Sequence, residues 1–139
     1  MLYLAYGSNL NKNQMSHRCP LAIPAGTALL KGYKLQFKRV AHIEETAIQD
    51  DIIPCGLWEI TSKCEKSLDV YEGYPNLYGK KQIKLDDQRM AMTYFMINGE
   101  IEKPSENYFE TILEGYKDFD LPVNHLRQVL KVTAIRTQN

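Results

Sequence analysis

The apolar run Leu2-Tyr3-Leu4-Ala5-Tyr6 stops abruptly at Gly7-Ser8-Asn9-Leu10, and no other feature constrains the fold as strongly. An apolar segment without polar alternation reads as a short buried strand. Gly, Ser and Asn at its end demand a turn. The backbone N–H groups of Gly7, Ser8 and Asn9 then need not serve a sheet ladder, and converging N–H groups of this kind form a small anion-binding nest. A nest holds a carboxylate, or an oxygen that gains negative charge during acyl transfer. On these residues alone an ordinary strand-to-turn connection is the plainer reading.

The rest of the chain continues as strands, one helix, more strands and two helices. Asn11 to His17 reads as a short helix capped by Asn9 or Asn11, and Pro20 ends it. Ala25 to Val40 reads as a strand or a bent strand pair, because Tyr33, Leu35 and Phe37 alternate with Lys34, Gln36 and Lys38. Ala41 to Asp51 is a loop or a weak edge strand. Ile52 to Ile60 is a strand interrupted by Pro54 and Gly56. Thr61 caps a helix that reaches Tyr71, and Gly73 stops it. Tyr78–Leu85 and Met90–Ile97 read as strands joined through Asp86-Asp87-Gln88, with a further turn at Asn98-Gly99. Ser105 to Lys117 carries a helical apolar stripe. Leu121-Pro122 opens a last helix with Val123, Leu126, Val129 and Leu130 inward. This order gives an α+β domain around a mixed or mainly antiparallel sheet.

At 139 residues a single domain over 1–139 is expected. Seventeen basic and 17 acidic residues cancel to a net charge of zero, which gives no support for nucleic acid or an anionic membrane as partner. No apolar run approaches the roughly 20 residues that span a bilayer. The start Met1-Leu2-Tyr3 lacks a basic n-region, so no signal peptide is expected. The three cysteines, Cys19, Cys55 and Cys64, are odd in number and widely spaced, which argues against a disulfide framework and a zinc site. Unpaired thiols in a reducing, cytoplasmic setting are expected. The three histidines, His17, His42 and His125, show no metal or triad spacing. Arg18 reads as a structural ion-pair residue.

A second segment carries chemistry. In Leu68-Asp69-Val70-Tyr71-Glu72-Gly73-Tyr74-Pro75, one carboxylate, Glu72, sits among aromatics at a helix end. A carboxylate there faces the negative end of the helix dipole in apolar surroundings, and both raise its pKa toward that of a useful base. A solvated surface Glu is the plain alternative. With the Tyr6-to-Leu10 loop, this segment resembles the gamma-glutamylcyclotransferase-like family, which pairs a YGSN-type loop with a Glu in an LDxxEG-type segment. Met15-Ser16-His17-Arg18-Cys19-Pro20, the stretch Gly26 to Phe37 and Gly56-Leu57-Trp58-Glu59-Ile60-Thr61 resemble further elements of the family, in its order.

The resemblance implies a small, mixed or antiparallel β-barrel-like sheet with flanking helices. It implies a cofactor-free cyclotransferase, without metal or organic cofactor, acting on a small-molecule γ-glutamyl amine, amino acid or peptide and releasing 5-oxoproline. Because nucleophile and electrophile are tethered in one molecule, such a pocket mainly holds a folded near-attack shape. Glu72 is the implied general acid and base. Tyr6, Gly7, Ser8, Asn9 and Leu10 are the implied substrate-binding loop, and Tyr78 and Tyr108 resemble pocket tyrosines, with core packing the alternative for each. Many relatives carry an Arg where this chain has Lys80-Lys81, and Lys lacks the planar fork of Arg. A binding module that holds a small anion in the same cavity without turning it over is the competing function. The leaving group and the oligomeric state stay open at this point.

Overall fold

The computed structural model describes residues 1–138. Strand β1 (Leu2–Ala5) leads through a 3-10 turn (Ser8–Leu10) into helix α1 (Lys12–Arg18). Four strands follow: β2 (Ile23–Lys31), β3 (Tyr33–Lys38), β4 (Val40–Glu45) and β5 (Ile52–Glu59). Then come α2 (Ser62–Glu72), β6 (Tyr78–Lys84), β7 (Met90–Met96), α3 (Glu106–Asp118) and α4 (Val123–Arg136). The α+β class is as expected. One sheet has five strands in the order β2-β5-β1-β7-β6, and β3 and β4 form a separate hairpin. The larger sheet is open, ending on β2 and β6.

β1 runs through the middle of the sheet, antiparallel to β5 and parallel to β7. Its residues Tyr3, Leu4 and Ala5 are buried, which explains why this strand lacks polar alternation. The loop after it is therefore launched from the centre of the sheet. Leu10 anchors the far end of that loop. It is fully buried against Gly56 of β5 and Gly115 of α3, where an added Cβ would lie 2.8 Å and 2.6 Å from Leu10 atoms. Burying such a side chain stabilises by about 2 kcal/mol. Phe119 closes this corner, edge-on to Trp58 at 5.4 Å.

Local chemistry sets the helix ends. Asn11, not Asn9, caps α1 by accepting from the Gln14 N–H at 3.0 Å. Thr61 caps α2 by accepting from the Cys64 N–H at 3.1 Å. Gly73 ends α2 with φ of 69°, a left-handed conformation that suits a residue without Cβ. Its N–H and that of Tyr74 return to the carbonyls of Val70 and Asp69. Glu72 is thus the last helical residue.

One alternative is decided here and one expectation corrected. Of the loop and the edge strand that Ala41 to Asp51 allowed, the structure has the edge strand: β4 pairs with β3 alone, from Lys38↔Val40 to Tyr33↔Glu45. Arg39 turns that hairpin with φ of 68°, so no Gly or Asn marks it. The cysteines are not three free thiols: Cys19 and Cys64 form a disulfide, and only Cys55 is free and buried. The fold lays the end of α1 beside the first turn of α2, with Cα atoms 5.2 Å apart, within the normal bridging range. The bond also removes the thiol argument for a reducing compartment. No helix among the described residues is long and apolar enough to cross a membrane.

Candidate active site

A cavity of about 520 Å³ opens where the loop after β1 meets the end of α2. Its inner wall consists of Tyr3, Tyr6, Gly7, Ser8, Asn9, Tyr71, Glu72, Tyr78, Tyr94 and Tyr108. Its outer wall comes from the β3–β4 turn, Lys38 to Ala41, and from Leu77, Met96 and the segment 98–102. Of the residues expected from the sequence, Glu72, Tyr6, Gly7, Ser8, Asn9, Tyr78 and Tyr108 line this one cavity. Leu10 does not. It points the other way, into the core, because the 3-10 turn rotates it under the loop, and so it holds the loop rather than a ligand.

Glu72 is the one carboxylate of the inner wall. Its Oε1 accepts a hydrogen bond from Asn9 Nδ2 at 3.2 Å. Burial pushes its pKa from 4.5 up to about 7, and the nearby Arg18 charge and the Asn9 hydrogen bond hold it from rising further. Desolvation is therefore the main cause of the shift expected from the sequence. Near pH 7 such a group is shared between its two protonation states, which suits it both to take and to give a proton.

Asn9 is the hub of the loop. It is buried, and its Nδ2 also donates to the Tyr3 hydroxyl at 2.8 Å. Its backbone carbonyl accepts from Trp58 Nε1 at 2.9 Å. Its Oδ1 accepts from Arg18 at 2.6 Å. Arg18 donates further to Gln14 Oε1 at 2.8 Å and to the Tyr71 hydroxyl at 2.7 Å, and lies 3.7 Å over the Tyr71 ring. Among the described residues it forms no ion pair, so the expected structural ion-pair role is corrected. The spacing of Gln14 and Arg18, four apart on one helix, was the sequence signal for the first of these contacts.

The tyrosines frame the cavity. Tyr108 accepts from the Ala41 N–H at 3.0 Å, and Tyr78 donates to the Ala41 carbonyl at 3.3 Å. Together they tie the β3–β4 hairpin to β6 and α3 across the opening. Tyr6 donates to the Tyr94 carbonyl at 2.8 Å, and Tyr94 donates to Asp69 at 2.6 Å. Burial raises the pKa of Tyr3, Tyr6, Tyr78, Tyr94 and Tyr108 above the usual phenol value, and the Glu72 charge adds to each. All of these hydroxyls therefore stay protonated, as donors, in the neutral range.

Neither Lys80 nor Lys81 lines the cavity. Lys80 pairs with Glu65 at 2.8 Å and Asp69 at 2.9 Å and lies 4.2 Å over the Tyr74 ring. Lys81 lies over Tyr33 and Phe95. The basic groups at the cavity are instead Lys38 and Arg39, on its outer wall. No sequence motif marked them, because the hairpin that carries them reaches the site only through tertiary packing. Among the described residues no cluster of three or more His, Cys, Asp or Glu side chains is arranged to hold a metal ion.

The profile of the family described as "Gamma-glutamyl cyclotransferase, AIG2-like" matches residues 3–116. Gamma-glutamylcyclotransferase of Bos taurus is 28% identical over 145 residues, covering 92% of this chain and 76% of that protein. A solved structure titled gamma-glutamyl cyclotransferase superposes with a TM-score of 0.81 at 26% identity, covering 93% of this chain and 85% of that one. A crystal structure of a Homo sapiens protein titled as uncharacterized superposes with a TM-score of 0.82 at 27% identity, covering 92% of this chain and 85% of that one.

Proposed function

The chain belongs to the gamma-glutamyl cyclotransferase, AIG2-like family, and on that premise we propose that it cyclises the γ-glutamyl group of a small amine, amino acid or peptide conjugate, releasing 5-oxoproline. The observation that carries this reading is Glu72, half-buried at a cavity of about 520 Å³ with a carboxyl pKa of about 7. In the reaction, the ionised Glu72 carboxylate takes a proton from the substrate α-ammonium. The freed amine attacks the γ-carbonyl carbon of the same molecule, and a new C–N bond closes the five-membered ring. The old C–N bond breaks as Glu72 gives its proton to the departing nitrogen; the ring nitrogen, becoming an amide, sheds its second proton to the carboxylate, and that proton leaves with the released amine as its ammonium.

Gly7, Ser8 and Asn9 are the groups for the substrate's oxygen. These three residues line the cavity, and they follow the ladder between β1 and β5, which ends at Ala5. Donors preorganised around a developing oxyanion are commonly the largest electrostatic contribution to acyl transfer. Tyr6, Tyr78 and Tyr108 supply a wall of protonated phenols that excludes water and shapes the folded substrate. The reaction needs no external nucleophile, so water exclusion costs nothing.

The test is 5-oxoproline release from a panel of γ-glutamyl amines, amino acids and peptides. Wild type is expected to release it from at least one compound, and Glu72→Gln to lose about 100-fold or more in kcat. Absence of release from every compound by a folded wild type would overturn the enzymatic reading and leave the cavity as a binding site for a small anion.

A further inference from the structure

Arg18 touches neither Glu72 nor the open cavity, yet it decides how Asn9 meets Glu72. A guanidinium has donors only. The Asn9 atom that faces it at 2.6 Å is therefore the amide oxygen, and the amide NH2 must point to Tyr3 and Glu72. Arg18 is itself fixed from three sides, by Gln14, by the Tyr71 hydroxyl and by the Tyr71 ring. The next residue, Cys19, is bonded to Cys64 of α2, the helix that ends in Glu72.

Without Arg18 the Asn9 amide has two orientations open to it. It donates to Glu72 when the carboxylate is ionised. Once Glu72 has taken a proton, the amide can turn and accept that proton as a hydrogen bond, which holds it away from the leaving nitrogen. With Arg18 in place the second orientation would set the amide NH2 against a guanidinium N–H, a clash of two donors.

We infer that Arg18 is a positioning residue for Glu72: through the Asn9 amide it keeps Glu72 Oε1 a hydrogen-bond acceptor, so that Oε2 is the oxygen that takes the proton and returns it. This rests on Glu72 as the proton carrier of the proposed reaction. The charge of Arg18 acts in the same direction, since it favours the ionised carboxylate. The phenols of Tyr3, Tyr6, Tyr78, Tyr94 and Tyr108 also face Glu72, and burial raises each above the ordinary phenol range, so they are neutral at the working pH; Tyr71 lines the same wall. Lys38, Arg39, Glu100 and Glu102 stand on the outer wall.

The test compares wild type, Arg18→Met and Arg18→Lys by two readouts. One is the pH dependence of kcat and KM for 5-oxoproline release. The other is the titration midpoint of Glu72, followed by carboxyl-carbon NMR with Glu72→Gln to assign the signal. Arg18→Met is expected to raise the Glu72 midpoint by about half a unit or more and to lower kcat about tenfold, with KM within about threefold. Arg18→Lys restores the midpoint through its charge but recovers only part of kcat, because a point charge does not grip the amide as the planar fork does. In an Asn9→Ala background, Arg18→Met changes kcat by less than about twofold, since the link is already cut.

An unchanged midpoint and kcat in Arg18→Met would overturn the inference. So would equal kcat losses in both variants accompanied only by a fall in melting temperature. Should Arg18→Met fail to fold, Arg18→Lys decides alone: full kcat refutes the inference, and reduced kcat at an unchanged midpoint supports it. If wild type releases no 5-oxoproline from any compound, the proposed function has failed, and the NMR midpoint still decides whether Arg18 governs Glu72.

Discussion

The burial that tunes Glu72 should cost the fold stability, and Glu72→Gln should recover it. The carboxyl has a pKa of about 7 in the folded chain against 4.5 for the free group, with burial as the first cause. A group whose folded pKa is raised contributes its full stability below the unfolded value and loses it as pH climbs through the folded one. The window is therefore pH 4.5 to about 7. The two values lie about 2.5 pH units apart, and at about 1.4 kcal/mol per unit the loss by pH 8.5 is about 3 kcal/mol. Gln is neutral, nearly the same size, and keeps an oxygen for Asn9 Nδ2. Urea unfolding of the two proteins should show Glu72→Gln about 3 kcal/mol more stable at pH 8.5, with the gap closing to nearly zero at pH 4. In thermal melts a gap of that size is about 10 °C for a domain of this length. A Gln variant no more stable than wild type at pH 8.5, or a gap that ignores pH, would refute the reasoning from burial.

Three further outcomes follow from the packing. The Cys19–Cys64 bond closes a segment with a sequence separation of 45, and the loop-entropy relation gives about 4 kcal/mol for such a loop; urea midpoints with and without reductant should differ accordingly, and identical midpoints would contradict this. Gly115→Ala places a Cβ 2.7 Å from the Asn11 backbone nitrogen and 2.6 Å from Leu10 Cβ, so it should destabilise by about 1–3 kcal/mol and lower activity by moving the loop, whereas a neutral effect in both assays would count against the close packing. Lys80→Met should leave KM within about threefold and cost about 1 kcal/mol of stability, because Lys80 is paired with Glu65 and Asp69; a large rise in KM would instead place this lysine on the substrate.

The parts legible in the sequence were those written in local chemistry. Thr61 and Gly73 bracket α2 through a cap and a left-handed residue, and both act within one turn. The apolar run at Leu2–Ala5 announced an interior strand, and the abrupt Gly7-Ser8-Asn9 announced the loop. What escaped was set by contacts far apart in the chain. The pairing of Cys19 with Cys64 depends on two helices meeting. The turn at Arg39 adopts a positive φ without a residue that advertises it, so the sequence left β4 between a loop and an edge strand. The direction of Leu10 depends on a 3-10 turn one residue after Gly7. Arg18 reaches its partners on the loop and α2 only once α1 is docked, and no count of charges along the sequence could have identified neutral partners.

The central claim is that Glu72 carries the proton of a cyclisation reaction. The measurement that tests it most directly is kcat/KM for 5-oxoproline release by wild type from pH 5 to 9, on a compound the enzyme turns over. The account predicts an acid limb with an apparent pKa of about 7, the value burial gives Glu72, and a tenfold fall per pH unit below it. A profile flat down to pH 5, or the same limb persisting in Glu72→Gln, would contradict it.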